Sequence, residues 1–77
     1  MTTTTETNYF VSYTDDAIVS IGETKADAAV AAVIAGHLPE NFKTAPCSDH
    51  LADWILRGNM DVGFGVIDGV VVHEVEA

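Results

Sequence analysis

The chain has 77 residues, 48% of them hydrophobic, and sets twelve acids against three bases for a net charge of −9. That length holds one domain, and a chain of this size buries only about 60% of its unfolded surface, so its core margin is thin. The charge excludes a protein that binds nucleic-acid phosphates or anionic lipid through Lys and Arg, and the single Cys47 excludes an internal disulfide framework.

Residues 1–7 are Thr-rich and are expected to be flexible or to extend the first strand. They carry no basic or apolar segment of the kind a secretory leader needs. The longest apolar run, 28–36, is about half a membrane span. A cytoplasmic protein is the expectation. Asn8 to Tyr13, N-Y-F-V-S-Y, is aromatic and β-branched and predicts a strand. Thr14-Asp15-Asp16 predicts a turn, and Ala17 to Ile21 a returning strand closed by Gly22.

Thr24-Lys25-Ala26-Asp27 has the pattern of a helix-capping box, with Asp in place of the usual Glu or Gln. The helix that follows places Ala26, Ala29, Val30, Val33, Ile34 and His37 at helical spacings, and Gly36 ends it. Residues 38–47 read as a connector restricted by Pro39 and Pro46, with Phe42 expected to fold back on the core. Ser48 caps a second helix, Asp49 to Arg57, with Leu51, Trp54 and Ile55 as its apolar stripe and Asp53 paired to Arg57.

The last segment predicts a hairpin around Asp68-Gly69, a sequence suited to a two-residue type I′ turn. That turn sets Ile67 opposite Val70, Val66 opposite Val71, Phe64 opposite His73 and Val62 opposite Val75. Val62, Phe64, Val66, Val71, His73 and Val75 form the expected core face. The other face is unusually apolar at Ile67, Val70 and Val72, which makes those three the candidate homodimer interface. The whole is expected to be a single α+β domain over 1–77 in the order ββααββ. Its architecture would be a two-layer sandwich, a four-stranded antiparallel sheet with both helices on one face.

Chemistry is sparse. Cys47-Ser48-Asp49-His50 puts a thiol beside an imidazole at a helix start, but no third orienting group or oxyanion hole accompanies it. Cys47, His37, His50 and His73 are zinc-ligand types, yet the paired knuckles of a structural zinc site are missing. Gly63-Phe64-Gly65 has no helix behind it to make a phosphate loop. The expectation is therefore no enzyme, no cofactor and no metal. What remains is the acid pattern: Asp15 and Asp16 in the first turn, Asp49 and Asp53 about 6 Å apart on one helix face, and Glu74 and Glu76 on the last strand. Such spacings imitate phosphates and suit a basic surface on a partner, through which the chain would act without binding nucleic acid or membrane itself.

A short, acidic α+β chain with these features resembles the small inhibitors that phages carry against host defences, the anti-CRISPR proteins. The resemblance rests on size, acidity and element order over the whole chain, with no signature residues. It implies a stoichiometric inhibitor, in the host cytoplasm, of a CRISPR-Cas ribonucleoprotein. The alternative is a self-associating structural or adaptor domain that acts as a homodimer.

Overall fold

The computed structural model describes residues 9–76, without the side chain of Glu76, so the expectation for residues 1–7 lies outside the described residues. Five strands form one mixed sheet: β1 Tyr9–Tyr13, β2 Ile18–Gly22, β3 Lys43–Cys47, β4 Phe64–Ile67 and β5 Val70–His73, in the spatial order β2-β1-β3-β5-β4. Helix α1 spans Lys25–Ile34 and α2 spans Asp49–Leu56, with short 3₁₀ turns at Pro39–Asn41 and Glu74–Glu76. The fold is α+β as expected. The sheet is not four-stranded, not all antiparallel, and the element order is ββαβαββ.

The difference lies in the connector. Lys43-Thr-Ala-Pro-Cys47 pairs antiparallel with β1, from Tyr13↔Lys43 to Tyr9↔Cys47, and so sits mid-sheet. A proline there normally argues against an interior strand, since it cannot donate to the ladder. Toward β5 the pairing is parallel and short, at Cys47↔Val71, with the Ser48 amide donating to the Val71 carbonyl at 2.9 Å. That ladder engages β3 beyond Pro46.

The helices do not share a face. Ser12 and Ser20, opposite each other in β1 and β2, both donate to the Ala28 carbonyl of α1, at 3.0 and 2.7 Å. Their neighbour Val11 belongs instead to the core cluster with Cys47, Leu51, Ala52, Ile55 and Val71. Successive strand side chains point to opposite faces. α1 therefore covers one face, over β1 and β2, and α2 the other. Residue size explains the division. Directly beneath α1 the sheet is small and polar at Ser12, Ser20, Gly22 and Thr44 and admits a helix through Ala28 and Ala32, both fully buried. The α2 face carries Val11, Ile18 and Val71, which the larger Leu51 and Ile55 fill.

A bulge makes that core possible. Ser12 pairs with Ser20 but Tyr13 with Ile18, so Val19 is the extra residue. Ile18 and Ile21, three positions apart, thereby reach one face, which strict alternation forbids.

Local signals mostly held. Thr24 accepts from the Asp27 amide at 3.0 Å, and Ser48 from the Leu51 amide at 3.2 Å. Gly36 at φ 100° closes α1, the Gly36 amide bonding the Val33 carbonyl and the His37 amide that of Ala32. The β4–β5 register is as predicted from Phe64↔His73 to Ile67↔Val70, and positive φ at both Asp68 (52°) and Gly69 (79°) fits the type I′ turn. The ladder then stops. Glu74–Glu76 form a 3₁₀ turn, so Val62 and Val75 do not pair as strand residues; Val62 is in the core and Val75 is exposed. Val66 also departs from its expected core position and is exposed on the edge strand β4.

Candidate functional site

The stretch Cys47 to His50 forms a local cluster with the end of β5. Cys47 is fully buried in the core, which withholds its thiol from any substrate. The His50 ring stacks on His73 with centroids 5.2 Å apart and an interplanar angle of 16°, and Trp54 presents its edge to His73 at 5.4 Å. His73 is buried, as its place on the expected core face implies, and its Nδ1 accepts from the Val75 amide at 3.3 Å. Trp54 is exposed rather than core: it borders the cluster on the solvent side of α2. Among the described residues no three His, Cys, Asp or Glu side chains converge as metal ligands. His37 stands apart, at the end of α1.

The acids behave uniformly. Ten of the twelve, all but Glu6 and Glu76, have described side chains, and every one of the ten is exposed. The six predicted contacts do not lie together. Asp15 and Asp16 occupy the β1–β2 turn, at the Tyr13↔Lys43 end of the sheet. Asp49 starts α2 beyond the Tyr9↔Cys47 end, about 13 Å away along β1. Asp53 follows one turn later and is paired with Arg57 at 3.1 Å. Glu74 is in the 3₁₀ turn, where it and Glu76 cannot share a strand face, and the Glu76 side chain lies outside the described residues. Gly63 leaves the room the Glu74 carboxylate takes up, which accounts for one glycine of the Gly63-Phe64-Gly65 run.

Sequence reasoning missed Glu40. It lies in the 3₁₀ turn before β3 and joins Asp15 and Asp16 around a concavity of about 410 Å³, whose wall also holds Tyr13, Phe42 and Lys43. The signal was hidden because the connector that carries Glu40 had not been recognised as leading into a strand paired with β1. Phe42 is half-buried there and lies outside the core cluster.

The second concavity, about 710 Å³ and open, runs between α1 and the segment Pro39 to Thr44. Its apolar wall is Val30, Val33 and Ile34, three of the helically spaced residues of α1. The structure turns it outward: Ile34 is 81% exposed and Val30 56%. The three candidate interface residues Ile67, Val70 and Val72 share the sheet face on which α1 lies, because Val71 between them points into the α2 core. Ile67 is exposed, and Val70 and Val72 are half-buried. No helix of the structure is long and apolar enough to cross a membrane, among the described residues. Compared with protein-family models, curated proteins and solved structures, the chain matches none.

Proposed function

We propose that this chain is a non-enzymatic binding protein whose carboxylates dock onto a basic, nucleic-acid-binding surface of a host defence complex, a CRISPR-Cas effector. The observation that carries this reading is the meeting of Asp15, Asp16 and Glu40, from two separate chain segments, around one concavity. Three carboxylates on a turn and a 3₁₀ end present negative charge at one tip of a rigid sheet, where a lysine- or arginine-lined groove can receive it. Asp49 and Asp53, one turn apart on α2, place further acid beyond the other end of β1. A groove longer than about 13 Å would meet both.

The test is competition. Purified effector ribonucleoprotein is offered its target DNA with and without this protein, at low and at moderate salt. Inhibition should weaken as salt rises, and the triple change Asp15→Asn, Asp16→Asn, Glu40→Gln should reduce it about tenfold and flatten its salt dependence. Target binding that is indifferent to the protein at every salt concentration removes the proposal. The homodimer alternative is favoured by a different face of the molecule.

A further inference from the structure

We infer that α1 and the open half of the sheet beside it form a self-complementary surface that a second copy of this chain covers. Helix α1 is apolar nearly all round. After Lys25 and Asp27, every residue from Ala28 to Gly36 is Ala, Val, Ile or Gly. A helix that is hydrophobic all round is ordinarily buried on more than one side. Its inner side is: Ala28 and Ala32 press onto β1 and β2 so closely that a Cβ on Gly22 would stand 2.6 Å from the Ala28 nitrogen. Its outer side, Val30, Val33 and Ile34, stays largely exposed, bordered among the described residues by the segment Pro39 to Thr44 across the open groove.

The same sheet face has a vacancy of matching size. Five strands about 4.8 Å apart make a surface roughly 19 Å across, and one helix, about 10 Å wide, covers half of it. α1 lies over β2 and β1 and reaches β3, and among the described residues no helix covers β5 and β4 on this face. The floor there is Pro46, Val70, Val72 and Ile67, with Gly65 adding no side chain. A twofold operation that seats the partner's α1 in this vacancy seats this chain's α1 in the partner's. Two sheets then enclose two helices lying side by side, and each Val30–Val33–Ile34 stripe is covered.

Charge allows this contact here. On a chain of −9, carboxylates would repel a second copy over most of the surface. The walls of the α1 groove contain no acid, and they include Lys25 and Lys43, two of the chain's three cations.

The experiment is light scattering on the full chain at roughly 0.2 mM, well above a micromolar dissociation constant. The expected mass is twice 8.2 kDa. Ile34→Lys and Val30→Lys should each weaken the dimer at least tenfold while leaving the far-ultraviolet circular dichroism unchanged, because both side chains are exposed in the monomer. Val72→Lys should do the same from the opposing wall. Val66→Lys, on the other face of the edge strand, should leave the dimer intact. A monomeric wild-type chain overturns the inference. So does a dimer that survives both α1 variants, or one that Val66→Lys alone dissolves. These outcomes are independent of whether the acidic tip inhibits an effector.

Discussion

Gly22 illustrates how one residue decides a helix position. Its φ is unexceptional; what matters is the absent side chain, since an added Cβ would stand 2.6 Å from the Ala28 nitrogen and 2.8 Å from the Asp27 Cβ. Neither neighbour is the end of a flexible chain, so the start of α1 must lift. Gly22→Ala should therefore cost about 1–3 kcal/mol, the range for overpacking a tight contact, read as a fall in the denaturant midpoint with unchanged slope. A neutral result would mean that α1 is not seated on β2 as described. Sequence alone presented Gly22 merely as the end of a hairpin, because close approach between elements leaves no local pattern. The same blindness applied to Ser12 and Ser20, which read as polar strand residues and prove to hold the Ala28 carbonyl.

At the scale of elements, legibility followed whether the determining contacts were local. The β4–β5 register was readable because Asp68 and Gly69 fix it over two residues. Gly69, at φ 79°, is where an L side chain is strained. Gly69→Val should destabilise the protein by about 1–2 kcal/mol, with the loss visible first as faster amide exchange across Val70 to Val72. Unchanged exchange there would show that the hairpin does not depend on the turn. The caps at Thr24 and Ser48 were readable for the same reason. Strand β3 was not. Lys43-Thr-Ala-Pro-Cys47 has little β-branched or apolar content, and its place in mid-sheet comes from pairing with β1, over thirty residues away for most of its positions. Missing it also misdirected the helices. With β3 present and α1 anchored by Ala28 and Ala32, the Val30–Val33–Ile34 stripe of α1 is surface. At the candidate site the turn acids Asp15 and Asp16 were legible, whereas Glu40 depended on the unseen strand.

For the whole molecule, the charge imposes a cost that can be measured. Among the described residues, ten exposed carboxylates share the surface with three bases, of which Arg57 is engaged with Asp53. Like charges are closer together in the folded state than in the expanded chain, so their repulsion favours unfolding. The screening length falls from about 30 Å at 0.01 M salt to about 8 Å at 0.15 M. Raising sodium chloride over that range at fixed protein concentration should therefore raise the Tm by a few degrees, which for a domain of this size corresponds to under about 1 kcal/mol. Asp15→Asn with Asp16→Asn should raise the low-salt Tm and shrink the increment, since that pair sits beside Glu40 at the crowded tip. The opposite trend, a Tm that falls with salt, would mean that attractive ion pairs outweigh the repulsion. The acids would then be part of how the fold is held together, and would not be held in reserve for a cationic partner.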